Sequence, residues 1–163
     1  MTVKPMNSWL TGPEPAAVAD AVTHAMMLND RASGAAGIAL LKAAPGEVTV
    51  EMTVTKEHVN GFDICHGGVL FLLADTAFAL CCNSHGPQTV AAGGDITFCR
   101  PAAVGETLTA RAVERTRFGR SGLYDVTVTR GDGAIVAEFR GRSRTIGETQ
   151  PGADGVRITE RLT

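Results

Sequence analysis

The sequence has no excess of charge of one sign and no uninterrupted apolar run long enough to span a membrane. Fifteen Lys and Arg residues stand against seventeen Asp and Glu residues, which gives a formal net charge of −2. A basic surface for nucleic acid is therefore not predicted. The first fifteen residues, MTVKPMNSWLTGPEP, lack the apolar core of a signal peptide. We therefore expect a cytoplasmic protein without a membrane partner.

The chain also lacks a C-x-x-C pair. It has four cysteines, which are Cys65, Cys81, Cys82 and Cys99. In a cytosolic protein, such cysteines are typically reduced thiols that pack as small hydrophobic residues. A zinc ion bound by Cys65 and His66 would lack a second pair of ligands. We therefore predict no metal site, and we also expect no bound cofactor.

The most apolar stretch of the chain runs from Asn60 to Ser84 and contains one acid, Asp75. It reads NGFDICHGGVLFLLADTAFALCCNS. A helix that is apolar on nearly every side is either a membrane span or buried inside a domain. The apolar parts on either side of Asp75 are shorter than the ~20 residues of a span. We predict a buried helix that carries one carboxylate.

The rest of the chain predicts one further helix and an antiparallel sheet. A helix is expected from Pro15 to Ser33 and Gly34, with His24 and Asp30 on a solvated face. Strict alternation over 47–55 predicts a half-buried strand, in a hairpin with 37–41. Four β segments follow the buried helix, over 90–100, 107–113, 123–130 and 134–146, and 117–122 connects the second and third of them.

These elements predict an α+β fold with a curled, mainly antiparallel sheet of five or six strands around one long central helix. The helix and the apolar face of the sheet bury each other. We expect one domain over 15–147. Residues 1–14 form a loosely ordered extension, in which Trp9 and Leu10 dock on the domain. Residues 148–163 are predicted to be a flexible or partner-dependent tail.

The central helix carries two features with chemical meaning. Gly67 and Gly68 at its start leave backbone N–H groups accessible, and the partial positive charge of a helix N-terminus suits a developing oxyanion. The alternative is a flexible turn. Asp75 has no cationic residue within one helical turn, and a buried unpaired carboxylate is costly. A satisfied structural aspartate is the alternative, and we favour a nucleophile or general base.

Gly67 and Asp75 are eight residues apart, which corresponds to ~12 Å along a helix. The two groups of one chain therefore cannot touch the same carbonyl. If both act on one bond, they belong to two chains whose helices lie side by side and antiparallel. This predicts a two-fold dimer with sites at its interface.

The pattern H-G-G-x-x-F-x-L-A-D-T-A-F-A-x-x-C-N over 66–83 resembles the signature of the PaaI-type hotdog-fold acyl-CoA thioesterases of phenylacetic acid degradation. The resemblance extends over 25–147, through Asn60-Gly61, 96–101, 105–110, 122–126 and 139–141. It implies a sheet wrapped around the long helix, a homodimer that shares its active sites, and a homotetramer. It also implies hydrolysis of an acyl-CoA substrate, of the aryl or phenylacetyl type, to a free acid and coenzyme A.

Carried over to this sequence, the resemblance assigns four catalytic residues. Asp75 attacks the thioester carbonyl or activates water, and Gly67 donates its N–H to the thioester oxygen from the facing subunit. Asn60 orients the substrate or the water. His66 borders the site, and we favour a positioning role for it over general acid catalysis, because a coenzyme A thiolate leaves with little help.

Further residues are expected to contact the substrate. Some relatives carry a hydroxyl near Ala92, which this chain lacks, so that the neighbouring glycines leave room for a bulky acyl group. Arginines are expected to hold the phosphates of coenzyme A, with solvated surface charge as the alternative. The predicted substrate-binding residues are Gly68, Thr76, Gly93, Gly94, Arg100, Pro101, Arg117, Gly119, Arg120, Ser121 and Gly122, and Arg115 is a further phosphate candidate.

Two other functions remain open. Hotdog-fold dehydratases and hydratases act on acyl thioesters with a His opposed to an acid, but they use a different loop sequence from the H-G-G of this chain. A non-catalytic sensor of acyl-CoA would keep the arginines and the dimer, and it would not need Asp75.

Overall fold

A computed structural model describes residues 12–147 and 149–163. The predicted docking of Trp9 and Leu10 lies outside these residues. Helix α1 (Pro15–Asn29) begins at the proline as predicted, and helix α2 (Arg31–Ala35) follows after a break at Asp30.

The break at Asp30 shows that the prediction of one helix reaching Ser33 was wrong. Asp30 adopts an extended conformation with φ −80° and ψ 98° and becomes the N-cap of α2. Its carboxylate accepts a hydrogen bond from the N–H of Ser33 at 3.0 Å. Aspartate competes with the helix for backbone donors in this way. Asp30 is therefore a half-buried cap and not a residue of a solvated face.

Helix α3 (Gly67–Asn83) is the predicted buried helix. Leu73, Ala74, Ala77, Phe78 and Cys81 on this helix are fully buried, whereas Asp75 is half-buried. Within the described ranges, no helix combines the length and the apolar character that a membrane crossing requires.

The described residues form six strands, which pair in one antiparallel sheet in the order β1-β2-β4-β5-β6-β3. They are β1 (Ala39–Ala44), β2 (Glu47–Thr53), β3 (Thr89–Phe98), β4 (Thr107–Phe118), β5 (Ser121–Arg130) and β6 (Ile135–Thr145). Helix α3 packs against β2, β3, β4, β5 and β6, and α1 packs against β1 and α3. The predicted hotdog fold, with a sheet around one long helix and an additional N-terminal helix, is confirmed.

The hairpin between β4 and β5 is tighter than predicted. Both strands extend into the expected connection, so that only Gly119 and Arg120 form the turn. Gly119 has a φ of +55°, as such two-residue turns require. The polar residues that suggested a long loop lie on exposed strand ends.

A glycine allows the sheet to approach the helix closely. A Cβ atom on Gly141 of β6 would lie 2.6 Å from Cδ2 of Phe78. The Phe78 ring also packs against the rings of Tyr124 and Phe139, with centroid distances of 5.4 and 5.7 Å. Glycine in a strand often marks such a close approach.

Strand β3 is an edge strand whose start is held by a side chain of α3. It pairs with β6, and its other side faces no strand of the described chain. Val90 and Phe98 on it are 40% and 53% exposed. Asn83 donates from Nδ2 to the carbonyl of Thr89 at 2.7 Å and accepts from its N–H at 2.9 Å.

The C-terminal segment lies along α1 in the structure. Gln150 donates to the side-chain oxygen of Asn83 at 2.8 Å. The guanidinium of Arg157 donates to the carboxylate of Asp20 at 2.6 Å. The predicted flexibility of this tail concerns its motion and stays a prediction, as does the loose order of residues 1–14.

The cysteines follow the prediction in part. Cys65, Cys81 and Cys82 are buried, but Cys99 is exposed. It follows the end of edge strand β3, where the chain leaves the sheet. The expectation that all four cysteines pack in the interior was therefore wrong for Cys99.

Candidate active site

The N-terminus of α3 presents a free backbone donor. His66 is the N-cap, and its Nδ1 accepts a hydrogen bond from the N–H of Gly68 at 2.9 Å. The backbone N–H of His66 donates to the carbonyl of His58 at 2.8 Å, which ties the preceding loop to the helix start. No described residue accepts a hydrogen bond from the N–H of Gly67. This donor is available to an anion or a carbonyl oxygen.

The ring of Phe98 borders this donor. A Cβ atom on Gly67 would lie 2.8 Å from Cζ of Phe98, so the aromatic ring lies directly beside the helix start. No pattern in the sequence indicated a contact between Phe98 and Gly67. Because Phe98 is half-exposed, its ring can form one wall of an apolar site.

Asn60 lies in the loop that leads into α3. Its side-chain oxygen accepts a hydrogen bond from the N–H of Phe62 at 2.9 Å, and its own N–H donates to the carbonyl of Ile64. A bridge between Val59 and Cys65 closes this loop. The contacts hold Asn60 in the segment that ends at the helix N-terminus, and its predicted role toward the substrate stays a prediction.

Asp75 is the group with unusual electrostatics. Burial raises its pKa above the ordinary value, and the negative charge of Asp30 raises it further. No cation or hydrogen-bond donor of the described chain offsets this shift. The next residue, Thr76, faces the N-terminal helices, and its hydroxyl lies 2.9 Å from that of Ser33 and 2.8 Å from the carbonyl oxygen of Leu72 on α3 itself. Its predicted contact with substrate stays a prediction.

The glycines of β3 do not leave open space. A Cβ atom on Gly94 would lie 2.6 Å from Cζ of Phe139, and one on Gly93 would lie 3.0 Å from Nη2 of Arg142. The predicted role of Gly93 and Gly94 in making room for a bulky acyl group stays a prediction. They accommodate side chains of the neighbouring strand β6.

The predicted phosphate-binding arginines lie far apart in one chain. Arg100, next to Pro101, donates to the carbonyl of Ile135 at 3.1 Å. Arg120 donates to the carbonyl of Thr145 at 3.0 Å. These carbonyls are ten residues apart on β6, or ~33 Å at the usual rise of a strand. A single chain therefore does not bring Arg100 and Arg120 to one nucleotide.

The other predicted substrate-binding residues of the hairpin have partners within the chain. Arg117 pairs with Glu114 at 3.4 Å, and Arg144 donates to the hydroxyl of Ser121 at 3.3 Å. Gly119 forms the turn, and Gly122 permits the close approach of the Tyr124 ring, which a Cβ atom would meet at 2.7 Å.

Two cavities lie away from Asp75. One of about 910 Å³ lies on the sheet face opposite α3 and is lined by polar residues such as Thr109, Asp125 and Arg140. The other, of about 320 Å³, lies between the end of α3 and the hairpin. Beside it, Nε2 of His85 lies 2.7 Å from a carboxylate oxygen of Glu114. Neither cavity includes Asp75 or Gly67.

Sequence reasoning missed the contacts that depend on distant parts of the chain. Phe98 beside Gly67, Glu114 beside His85, and Asp30 near Asp75 are examples. The only local signal was the aspartate at a helix break, which indicates an N-cap. Among the described residues, no group of three or more His, Cys, Asp or Glu side chains is placed to hold a metal ion.

The described chain combines a six-stranded hotdog sheet around α3 with a free N–H group at the start of this helix and a half-buried carboxylate on it. These features are those of a hotdog-fold thioesterase. The chain belongs to the thioesterase superfamily, whose family model matches residues 62–137. This range contains all of α3.

Among its relatives, the chain is 46% identical to the acyl-coenzyme A thioesterase PaaI of Escherichia coli over 129 residues, which are 79% of this chain and 92% of the relative. The solved structure of E. coli PaaI, from the phenylacetic acid degradation operon, matches with a TM-score of 0.82 and 43% identity. It covers 83% of this chain and 99% of that one. Human acyl-coenzyme A thioesterase 13 is 34% identical over 107 residues, 63% of this chain and 76% of the relative.

Proposed function

We propose that this protein is an acyl-CoA thioesterase that hydrolyses CoA thioesters of the aryl or phenylacetyl type to a free acid and coenzyme A. The observation that carries the proposal is Asp75. It is a half-buried carboxylate without a compensating partner in the described chain, on a helix whose N-terminus presents a free donor at Gly67. A cytoplasmic homotetramer belongs to the same proposal and rests on the resemblance.

Two routes use Asp75 as an ionised carboxylate. In the first, it attacks the thioester carbonyl, the C–S bond breaks, and coenzyme A leaves as a thiolate. Water then hydrolyses the resulting anhydride. In the second, Asp75 takes a proton from a water molecule that attacks the carbonyl directly. In both, the carbonyl oxygen gains negative charge, and the N–H of Gly67 stabilises it. The raised pKa makes the carboxylate a better base.

We infer that two chains share each site. Gly67 and Asp75 of one chain are separated by ~12 Å along α3, and edge strand β3 has one side free of described strands. Antiparallel pairing of β3 with its copy would place the Arg100 end of one chain beside the Arg120 end of the other. A dimer thus reconciles the two groups of arginines that one chain keeps apart.

The preference for an aromatic acyl group is supported by an exposed ring of α3 that packs against a ring of β6. Phe71 is 36% exposed and packs edge-to-face against Phe139 at a centroid distance of 5.3 Å. Aromatic surfaces of this kind bind other rings favourably. The relative from E. coli is linked by name to phenylacetic acid degradation, which agrees with this substrate class.

The first experiment measures thiol release from a panel of aryl and aliphatic acyl-CoA thioesters. Asp75→Asn is nearly isosteric and should abolish turnover while substrate binding persists. Asp154→Asn, in the C-terminal segment, is the control and should keep wild-type activity. Turnover by Asp75→Asn at the wild-type rate would refute the role of the carboxylate. Binding without thiol release by wild type would favour a sensor, and conversion of a β-hydroxyacyl-CoA without thiol release would favour a dehydratase.

The second experiment tests the shared site by mixing inactive variants. Gly67→Pro removes the N–H donor at a helix position that tolerates proline, and His66 before it already has the extended backbone that proline requires. Gly67→Ala is its control, because it adds a Cβ atom and keeps the N–H. If each site combines Gly67 of one chain with Asp75 of the other, a mixture with Asp75→Asn recovers about one quarter of wild-type activity.

The expected quarter follows because half of the randomly mixed dimers contain both variants, and each of these has one intact site. If Gly67 and Asp75 of the same chain act together, mixing restores nothing. Dilution to the monomer should likewise abolish the activity of the wild type.

A further inference from the structure

A buried chain of hydroxyl groups links the N-terminal helices to the helix of Asp75. Ser33 is fully buried and Thr76 is nearly so. Their side-chain oxygens lie 2.9 Å apart. The hydroxyl of Ser33 also donates to the carboxylate of Asp30 at 2.6 Å, and the hydroxyl of Thr76 lies 2.8 Å from the carbonyl of Leu72.

The number of available protons decides which group of this hydrogen-bond network donates to which acceptor. Each hydroxyl has one proton to donate, so the two hydroxyls cannot fill all three short contacts at once while Asp30 is ionised. The contact between Ser33 and Asp30 is the shortest and is assisted by charge, and it therefore takes the proton of Ser33. Thr76 then donates either to Ser33 or to the carbonyl of Leu72. Asp30 thus fixes the proton of Ser33, and the hydroxyl of Ser33 faces Thr76 as an acceptor.

We propose that Asp30, Ser33 and Thr76 are positioning residues that fix the turn of α3 on which Asp75 lies. Successive residues of a helix point about 100° apart, so the direction of Thr76 determines the direction of Asp75. The proposal rests on the proposed role of Asp75 as the catalytic carboxylate. Asp30 and Ser33 lie on α1–α2, outside the residues that match the thioesterase family model.

Asp30 also acts on Asp75 through its charge. The carboxylate of Asp30 raises the pKa of Asp75 beyond the effect of burial. On α3 itself, Asp75 also interacts with the buried thiol of Cys82, whose own pKa rises to about 12, so this thiol is uncharged at neutral pH. No other charged group of the described chain shifts the pKa of Asp75. Asp30 is therefore the charge that tunes the carboxylate.

The test compares variants of the hydroxyl chain with a matched control. Thr76→Val and Ser33→Ala should lower kcat about tenfold and leave KM within a factor of about two, because misplacement affects the reacting group more than substrate binding. Thr76→Ser keeps a hydroxyl and should restore most of kcat. Thr23→Val removes a buried hydroxyl that bonds within its own helix, to the carbonyl of Ala19 at 2.7 Å. It should keep wild-type kcat.

A second readout does not depend on turnover. The carboxyl group of Asp75 is followed by ¹³C NMR as the pH is changed, with Asp75→Asn used to assign its signal. In Asp30→Asn the titration midpoint should fall, and the acidic limb of the kcat profile should move to lower pH by the same amount.

These outcomes separate this proposal from the proposed function. Absence of thiol release by wild type would refute the function, while the NMR titration would still decide whether Asp30 acts on Asp75. An unchanged midpoint in Asp30→Asn would overturn the inference. Equal losses of kcat in Thr76→Val and Thr23→Val, or failure of Thr76→Ser to restore activity, would overturn it as well.

Discussion

Replacing Gly141 by alanine tests how closely the sheet must approach the central helix. The added Cβ atom would lie 2.6, 2.7 and 2.8 Å from three carbons of the Phe78 ring. Optimal contacts between carbon atoms lie at ~3.5–4.0 Å, so the ring or the strand must shift by about 1 Å. The ring has little freedom to do so, because it is fully buried and packs against Tyr124 and Phe139.

Overpacking of this kind destabilises a core by ~1–3 kcal/mol. For a chain of this length, each kcal/mol lowers the midpoint of thermal unfolding by ~2–4 °C. We therefore expect Gly141→Ala to lower Tm by ~2–12 °C. Phe78→Leu in the same chain should return part of this loss, because the smaller side chain accommodates the new methyl group.

The assay is thermal and urea unfolding at one protein concentration, since association of chains also changes Tm. Gly131→Ala is the matched control, because a Cβ atom there meets nothing within 4 Å. Equal stability of Gly141→Ala and Gly131→Ala would refute the argument. Strict additivity of Gly141→Ala and Phe78→Leu would refute it too, since residues in contact should couple.

Three further predictions follow from charge and exposure. Asp75→Asn should be more stable than wild type at neutral pH, because the raised pKa of Asp75 makes wild type lose stability as the pH rises from the ordinary value of 3.8 through the raised pKa. The difference between the urea midpoints of the two proteins should therefore disappear below pH 3.8. A difference as large there as at neutral pH would contradict this. Cys99 should react with a thiol reagent in the native protein, whereas Cys65, with a pKa raised to about 11, should react only after unfolding; simultaneous reaction would contradict this. Arg157→Gln should change the free energy of unfolding little, because the ion pair with Asp20 is exposed to solvent, but it should speed proteolysis of the tail relative to Arg161→Gln, and equal cleavage rates would contradict this.

Periodicity was sufficient to predict the layers of the fold. The apolar stretch around Asp75 and the alternation over 47–55 are local signals, and both correspond to elements of the structure. The break at Asp30 was missed because aspartate stabilises either a solvated helix face or an N-cap, and the choice depends on the packing of Ser33 against α3. The length of the β4–β5 turn was missed because polar residues are common both in loops and on exposed strand ends.

Some residues of the candidate site could be predicted from local sequence signals, and others could not. Gly67 and Asp75 were identifiable because a bare helix start and an acid in an apolar helix are visible in the sequence. The wall formed by Phe98 and the filling of the space at Gly94 by Phe139 depend on strand register. Register between β3 and β6 arises from pairing across the chain, so no local pattern reveals it.

The carboxamide of Asn83 has a consequence for assembly. It offers a donor and an acceptor to both backbone groups of Thr89, as a neighbouring peptide group would. A shift of β3 by one residue would break both bonds and reverse the faces of its side chains. The two hydrogen bonds of Asn83 thereby fix the register of edge strand β3 relative to the helix that carries Asp75. Any second chain that adds to this edge receives its alignment relative to the carboxylate from one amide side chain.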